Sequence, residues 1–279
     1  MYADEADFGA EVNASMDSMS GYVPSYNVAP TRQQPILVHS ASGLQLEMMT
    51  WGMRFSFTKT LLINARDDKL KKGSGSCWTA LKKRNRCVVL ASGFFEWKRQ
   101  GAHKIPHFVS RKDGKLLLMA GLYKRDDSGK GNRYVIVTTN SSHELSWLHD
   151  RMPVIFKSKS DALIWIDGKD WDSSVHEELL KPLENGLAHW KVGGSVSRVG
   201  NDSSDCIVKV SESSDSKAVA SPRTPGKRSG KITDFFKPVA SPPCSGTLKR
   251  AVSAEDEKED VKKELCERPV KSARSSVSS

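Results

Sequence analysis

The stretch that decides the fold is RCVVLASGFFEW, at residues 86–97. Its first part, Arg86–Leu90, is an arginine followed by four apolar residues, and it predicts a buried strand. Its second part, Gly93–Trp97, places the carboxylate of Glu96 among three aromatic side chains. Desolvation by such neighbours raises a carboxyl pKa, which would suit Glu96 to proton transfer near neutral pH. Glu96 would equally fit a surface carboxylate on an aromatic strand.

Similar apolar runs lie on both sides of this stretch and are separated by Gly, Asp and Ser turns. The further strands are predicted at Ile36–Val38, Lys115–Met119 and Tyr134–Thr138, with a polar hairpin connection over Arg125–Asn132. Two helices are predicted: Asp161–Trp165 capped by Ser160, and Val175–Leu180 capped by Ser174. The pattern predicts a β-rich α+β domain, with a curled, barrel-like sheet around its core and helices at the periphery.

Bulk properties narrow the class of partner. The chain has 279 residues and a net charge of +10, which favours nucleic acid as partner, although a basic protein without such a partner has the same balance. No apolar run approaches the length of a membrane span, and no secretion signal opens the sequence. We therefore expect a soluble, non-secreted protein that has no membrane partner. Nothing in the sequence demands more than a monomer.

Cysteine usage excludes two kinds of site. The five cysteines are widely spaced and form no C-x-x-C pair, which argues against both a zinc site and a disulfide framework. We predict neither a metal nor a cofactor, and we expect a reducing compartment.

Composition divides the chain into three parts. Residues 22–210 hold almost all the aromatic and branched apolar side chains and are predicted to form the folded domain. Residues 211–279 contain 14 Lys or Arg against 10 Asp or Glu, many Ser and Pro, and no Trp or Tyr. Such a tail cannot offset its ordering entropy by burial, so we predict disorder. Residues 1–21 remain unassigned.

Three further motifs carry candidate chemistry. NAR at 64–66 follows an apolar stretch, and VSRVGN at 196–201 predicts a strand that ends in a turn. HDRMP at 149–153 sets the imidazole of His149 beside the guanidinium of Arg151. Histidine is suited to acid–base work at physiological pH, and arginine can bind a phosphate with two parallel bonds. A lone histidine is more often structural, so each motif alone has an ordinary explanation.

Together these motifs resemble the SRAP family, the SOS-response-associated peptidases. The blocks that match, in order, are YNVAPT at 26–31, WG at 51–52, NAR at 64–66, GFFEW at 93–97, MAG at 119–121 and HDRMP at 149–153. The resemblance covers about residues 22 to 205. It implies the SRAP fold and a partner that is single-stranded DNA with an abasic site.

The resemblance also implies a chemistry. In the family a cysteine follows the initiator Met, whose removal the protein itself performs. The amine of that cysteine attacks the aldehyde of the abasic site, and its thiol then closes a thiazolidine ring, which crosslinks protein and DNA. By this resemblance Asn64, Glu96 and His149 are catalytic. Arg66 and Arg151 would contact phosphates, and the remaining residues lining the site would be Asn27, Pro30, Trp51, Phe57 and Thr138.

The sequence departs from the family pattern at its start. The family opens Met-Cys-Gly-Arg, whereas this chain opens Met1-Tyr2-Ala3-Asp4 and has no cysteine before Cys77. Three explanations are open: a wrongly assigned start or first exon, an alternative isoform, or a descendant that binds DNA without a covalent bond. We favour the first, because Asn64, Glu96 and His149 are all present. The family's Trp-Gly-x-x-Pro-x-Trp also lacks its Pro here and ends in Phe57.

The tail carries a separate motif. Its two aromatic residues are adjacent in KITDFFKP at 231–238, which resembles the peptide that binds the sliding clamp of DNA replication. One helical turn would place Ile232, Phe235 and Phe236 on one face. Ser229 stands where that motif has Gln, and a chance hydrophobic pair is the simple alternative. Basic pairs such as Lys227-Arg228 would serve nuclear import, or would simply solvate the tail. We therefore predict a clamp partner through residues 229–236 and a nuclear location.

Overall fold

The structure is a computed structural model that describes residues 12–13, 19, 22–72, 75–125 and 131–210. Within these ranges the strands are β1 (Val12–Asn13), β2 (Gln33–Ser40), β3 (Gly43–Trp51), β4 (Met53–Phe55), β5 (Thr58–Leu62), β6 (Asn64–Arg66), β7 (Arg86–Ala91), β8 (Phe94–Gln100), β9 (His103–Arg111), β10 (Leu117–Lys124), β11 (Arg133–Asn140), β12 (Arg151–Pro153) and β13 (Leu187–Lys191). The predicted strands at 36–38, 86–90 and 134–138 lie inside β2, β7 and β11.

The largest sheet closes on itself. Strands β3, β2, β7, β10 and β11 follow one another as antiparallel neighbours, and β11 then pairs with β3 in parallel, with Tyr134 opposite Trp51. β6 pairs with β11 in parallel, and β12 pairs with it antiparallel. The predicted curled, β-rich α+β architecture is confirmed as a ring of strands.

Two smaller sheets complete the strand architecture. β8, β9 and β13 form a three-stranded antiparallel sheet in which β9 is central. β4 and β5 form a hairpin whose turn lies between Phe55 and Thr58. The hairpin is an excursion of the ring, because β3 ends just before it and β6 begins just after it.

Four short helices lie around these sheets: α1 (Asp67–Lys71), α2 (Thr79–Arg84), α3 (Lys159–Trp165) and α4 (Ser173–His176). Both predicted caps were wrong by two residues. Ser158 caps α3 through a reciprocal pair of bonds with Asp161, and the carboxylate of Asp172 caps α4 by accepting the N–H of Ser174. The Asp161 and Asp172 carboxylates satisfy N-terminal backbone donors that the predicted starts would have left open. α4 also ends at His176 rather than Leu180.

Two other local predictions were wrong. β10 starts at Leu117 rather than Lys115, because the Asp113 carboxylate accepts the Lys115 N–H and keeps the chain in a turn. The strand predicted within 196–201 is absent, since Gly194–Ser197 is a 3-10 turn, and a second such turn follows at Ser204–Ile207.

Alternate residues of the ring strands face two apolar cores. One core includes Leu37, Val88 and Val135 and is covered by Trp165 of α3. The other includes Ile36, Val89 and Tyr134 and extends to Val109 of β9, which joins the ring to the three-stranded sheet. A third cluster, with Phe108 and Cys206, packs the outer face of that sheet against the 3-10 turns.

Several predictions fall on residues outside the described ranges. These are the tail at 211–279 with its clamp-binding motif at 229–236, most of the unassigned segment at 1–21, and the middle of the 125–132 connection. Within the described part, no helix is long and apolar enough to cross a membrane.

Candidate functional site

Three adjacent strands bring most of the predicted polar residues together. Arg66 of β6 lies opposite Thr138 of β11, and Asn140 of β11 lies opposite Arg151 of β12. Residues opposite one another, or two apart, share a face of a sheet, so this face carries Asn64, Arg66, Thr138 and Arg151. Asn64 and Arg66 are exposed while Ala65 between them is buried. β6 therefore presents its two polar side chains to solvent.

The two arginines of this face have different surroundings. The Arg151 side chain is 13% exposed, and its guanidinium donates to the Asp67 carboxylate at 2.6 Å, the Thr138 carbonyl at 2.5 Å and the Asn140 side chain at 2.8 Å. The Arg66 side chain is 56% exposed and pairs with Asp68 at 2.8 Å. The Arg66 guanidinium is therefore open to solvent, whereas the Arg151 guanidinium donates most of its hydrogen bonds to groups within the protein. Phosphate contact by either residue stays a prediction.

Asp67 forms an ion pair with Arg151 and fixes its position. Burial opposes ionisation of this carboxyl, but hydrogen bonds from Arg151 and Lys71 outweigh burial and lower the Asp67 pKa. Thr139 adds a hydroxyl bond at 3.3 Å. The pair is thus a buried, hydrogen-bonded ion pair that joins α1 to β12.

Glu96 and His149 line one recess, together with Phe94, Ser141, Leu145, Leu148, Arg151 and Met152. Burial raises the Glu96 pKa, which is the direction predicted from the aromatic neighbours, while the Trp97 N–H and the charge of His149 act against the shift. The raised pKa keeps a larger share of Glu96 protonated at a given pH. The recess therefore combines a carboxyl and an imidazole that are both able to move protons.

The imidazole of His149 is held by its own loop. Its Nδ1 lies 3.0 Å from the Arg151 backbone nitrogen and 3.0 Å from the Asp150 carboxylate, and the side chain is 41% exposed. The ring is thus oriented on one edge and open to solvent.

Trp51 lies beside the start of β6. Its indole N–H donates to the Ile63 carbonyl at 3.0 Å, next to Asn64. The turn Ala29–Arg32 contacts Trp51, because the Thr31 N–H donates to the Trp51 carbonyl at 2.9 Å. Pro30 presets this turn, and Thr31 adopts a φ of 76°, a strained value for a β-branched residue. The structure therefore places Pro30, Trp51 and Asn64 in one neighbourhood.

Asn27 is engaged elsewhere. Its side-chain amide donates to the carbonyls of Val196 and Asn201, each at 3.0 Å, and its backbone N–H donates to Asp202 at 3.2 Å. These bonds tie the segment before β2 to the 3-10 turn at 194–197. Both amide hydrogens are used, so the geometry assigns Asn27 a structural contact.

Phe57 stands at the tip of the β4–β5 hairpin. It is 67% exposed and stacks on Phe55, with ring centroids 5.3 Å apart. Phe55 in turn packs edge-on against Trp78 at 5.3 Å. The hairpin leaves the ring between Trp51 and Asn64, so Phe57 projects from the neighbourhood of the site despite the missing Pro.

The sequence did not identify the partners that hold the site. Asp67 directly follows the NAR motif, and Ser141 follows the end of β11, but only the fold shows that they contact Arg151 or line the recess. Within the described residues, Cys87 and Cys206 are buried and Cys77 is half-buried, and no group of His, Cys, Asp or Glu is placed to hold a metal.

Comparison with known proteins decides the family. A model of the family described as SOS response associated peptidase (SRAP) matches residues 1–199. This chain belongs to the SRAP family. The match begins before Tyr22, where the motifs begin.

Three relatives of this SRAP chain have similar sequence identities to it. It is 31% identical over 210 residues to the abasic site processing protein YMR114C of Saccharomyces cerevisiae, covering 71% of this chain and 55% of the yeast protein. It is 30% identical to the abasic site processing protein HMCES of Gallus gallus, covering 68% of this chain and 67% of the relative. It is also 30% identical to YoqW of Bacillus subtilis, another abasic site processing protein, covering 67% and 86%.

Solved structures support the SRAP fold. A protein from Bacteroides thetaiotaomicron superposes with a TM-score of 0.62 at 22% identity, over 75% of this chain and 97% of that one. A phage-related protein from Bordetella bronchiseptica superposes with a TM-score of 0.53 at 24% identity, over 61% and 83%.

Proposed function

We propose that this SRAP chain binds single-stranded DNA at abasic sites. The observation that carries the proposal is a series of neighbouring side chains. Trp51 contacts the start of β6 beside Asn64, and Arg66 shares a sheet face with Arg151. Arg151 in turn lines the recess of Glu96 and His149. Relatives at about 30% identity are abasic site processing proteins.

Each part of the series suits a part of the strand. Exposed Phe57 and half-buried Trp51 are aromatic surfaces on which bases stack. The exposed guanidinium of Arg66 suits a phosphate beside the lesion. A net charge of +10 favours the approach of a polyanion. The exposed amide of Asn64, two residues before Arg66 on β6, would orient the sugar.

Glu96 and His149 suit the proton transfers of an abasic sugar. Opening the sugar ring to its aldehyde moves a proton from the anomeric hydroxyl to the ring oxygen, and an attacking amine must later lose protons. A carboxyl with a raised pKa can donate a proton and take it back. The same pair would serve removal of an initiator Met.

The covalent step needs an amine and a thiol on one residue. Tyr2 has no thiol, and burial raises the pKa of both Cys77 and Cys87, which suppresses the reactive thiolate. The proposal therefore has two forms. The chain as written binds abasic DNA reversibly, whereas a chain that starts Met-Cys-Gly-Arg removes its Met and forms the thiazolidine crosslink.

One experiment tests both forms. The protein is incubated with single-stranded DNA that carries one abasic site, and the products are separated on an SDS gel and, in parallel, on a native gel. A matched chain has residues 1–21 replaced by a Met-Cys-Gly-Arg start. We expect both to shift the DNA on the native gel and only the second to give an SDS-resistant band. Equal native binding of damaged and undamaged strands by both chains contradicts the proposal.

The alternative function is a non-catalytic adaptor tethered to the replication clamp. It is favoured by the only aromatic residues of the tail, Phe235 and Phe236, which with Ile232 match a clamp-binding peptide. A nuclear location belongs to the same proposal. Binding of a 229–238 peptide to a sliding clamp, with the two Phe replaced by Ala as control, tests the tether, and imaging of a fluorescent fusion tests the location.

A further inference from the structure

The sheet face that bears Glu96 continues beyond the recess. Glu96 of β8 lies opposite His107 of β9, which lies opposite Lys191 of β13. Lys98 is two residues after Glu96 and His189 two before Lys191, so all five side chains share this face. Beyond Glu96, the face therefore carries the two lysines Lys98 and Lys191.

Trp147 covers this continuation. It comes two residues before His149, and its ring lies 5.2 Å from the ring of His107 and 5.1 Å from that of His189. The Lys98 ammonium sits 4.7 Å from the indole centroid. The indole N–H donates to the Glu144 carbonyl at 2.9 Å, which fixes the ring from one edge. We name Lys98, His107, Trp147 and His189 the Trp147 cluster.

The cluster is accessible although its ring is held in place. Trp147 is 40% exposed and His189 is exposed, while His107 is buried beneath the indole. A large aromatic side chain that is fixed by its neighbours and still meets water loses little conformational entropy when a planar ligand stacks on it. Lys98 already lies on the ring face, and its flexible stem lets the ammonium move to a phosphate when a base arrives.

We propose that the Trp147 cluster is a second stacking site for single-stranded DNA. It would bind the part of the strand on the opposite side of the reacting nucleotide from Phe57. This inference rests on the proposed function. Trp51 and the hairpin that bears Phe57 adjoin β6, whereas Trp147 and Lys98 lie on the sheet of β8 and β9 that carries Glu96. A strand whose abasic nucleotide enters between Glu96 and His149 thus meets an aromatic ring in both directions.

Charge favours a nucleic acid over other occupants. Lys98 and Lys191 supply positive charge on this face. The nearby Glu144 carboxylate is paired with Lys112 at 3.5 Å. Asp150, at 84% exposure, is the exposed carboxylate of the His149 loop and lies 3.0 Å from the His149 imidazole. An indole beside a lysine binds any base, because every base has a π-face.

The test uses strands that reach only one side of the lesion. Three oligonucleotides carry an unreactive tetrahydrofuran abasic analogue in the middle, at the 5′ end or at the 3′ end, and dissociation constants are measured by fluorescence anisotropy. We expect Trp147→Ala to weaken binding about tenfold on the central oligonucleotide and on one end-placed oligonucleotide, without effect on the other. The matched control, Phe57→Ala, should weaken binding of the opposite end-placed oligonucleotide.

Further variants separate stacking from folding. Trp147→Tyr keeps a ring and should bind within a few-fold of the parent chain. Lys98→Gln should lower the slope of log Kd against log salt by about one. If Trp147→Ala lowers the urea midpoint, its weaker DNA binding could come from partial unfolding. Trp147→Tyr and Lys98→Gln then test the stacking site, since neither removes the aromatic ring from the cluster.

The outcomes distinguish this inference from the proposed function. Unchanged binding by Trp147→Ala and Lys98→Gln, with a loss for Phe57→Ala, overturns the second stacking site and leaves the proposed function standing. Equal losses on all three oligonucleotides also overturn it, because they show no side preference. A parent chain that does not prefer the analogue over an undamaged strand refutes the proposed function itself.

Discussion

Two clusters in this protein are built from the same residue types and have different surroundings. In the first, Trp165 is fully buried, with the Arg86 guanidinium 5.9 Å from its ring and His176 at 6.1 Å. Trp171 stacks on His176 at 5.0 Å, and the Lys82 ammonium lies over Trp171 at 4.6 Å. In the second, the Trp147 cluster, the same combination of indole, imidazole and cation is open to solvent.

The two clusters differ in how many of their polar groups are hydrogen-bonded within the protein. Arg86 donates to Asp167, to the Trp165 carbonyl and to three other backbone carbonyls, and its side chain is 1% exposed. The Trp165 indole N–H lies within hydrogen-bond distance of the Cys87 and Gly121 carbonyls. In the Trp147 cluster, Lys98 approaches a ring face and Trp147 is 40% exposed. Burial, and not residue type, therefore distinguishes a cluster that holds the fold from one that can receive a ligand.

The largest expected effect is the loss of stability when the buried arginine Arg86 is removed. Arg86→Ala should lower the free energy of unfolding by about 4 kcal/mol, because it leaves Asp167 and several carbonyls without their partner. The control is Arg84→Ala, which breaks an exposed pair with Asp170 at 2.8 Å and should leave stability unchanged. Urea denaturation measures both. Equal losses would mean that burial does not separate the two arginines.

A second pair of arginines applies the same contrast to the candidate site. Arg151→Ala should cost about 3 kcal/mol of stability, since Asp67 would be left buried and short of a partner. Arg66→Ala should leave the urea midpoint unchanged but weaken binding to single-stranded DNA and reduce the salt slope by about one. A stable Arg151→Ala variant with reduced DNA affinity would reverse the two assignments.

The hairpin aromatics give a smaller version of the comparison. Phe55→Ala should cost about 2 kcal/mol, because Phe55 is half-buried against Trp78. Phe57→Ala should change stability by less than about 0.5 kcal/mol while lowering DNA affinity. Urea midpoints and anisotropy titrations of the two variants test this. Loss of stability in Phe57→Ala would show that its stacking on Phe55 supports the fold.

The smallest effect concerns the pH dependence of stability. Because the folded pKa of Glu96 is raised above its ordinary value of 4.5, its contribution to stability is present below pH 4.5 and is lost as the pH rises through the folded pKa. Glu96→Gln keeps an acceptor for the Trp97 N–H and carries no charge. Its free energy of unfolding should exceed that of the parent at pH 7, and the gap should close near pH 4. A gap that does not change with pH would contradict burial as the cause.

Local patterns predicted the strands and missed the element ends. The apolar runs at 36–38, 86–90 and 134–138 lie inside β2, β7 and β11 because buried strands in a closed sheet need apolar side chains on both faces. The end points were wrong where a side chain captured a backbone group. Asp113 delays β10, and Ser158 rather than Ser160 starts α3. These captures depend on rotamers that the residue types alone do not specify.

The sequence by itself determined the fold class and the family motifs, because each depends on the pattern of residues along the chain. The direction of the Glu96 pKa shift was predicted too, but the recess that buries Glu96 is completed by distant residues such as Leu145 and Met152. Only the tertiary structure decided which arginine is open to solvent, which tryptophan is exposed, and that Glu96 lies beside His107. Asp67 and Arg151 are 84 positions apart, and Arg86 and Trp165 are 79 apart. Contacts at that separation depend on closure of the ring and the register of its strands, so no local pattern encodes them.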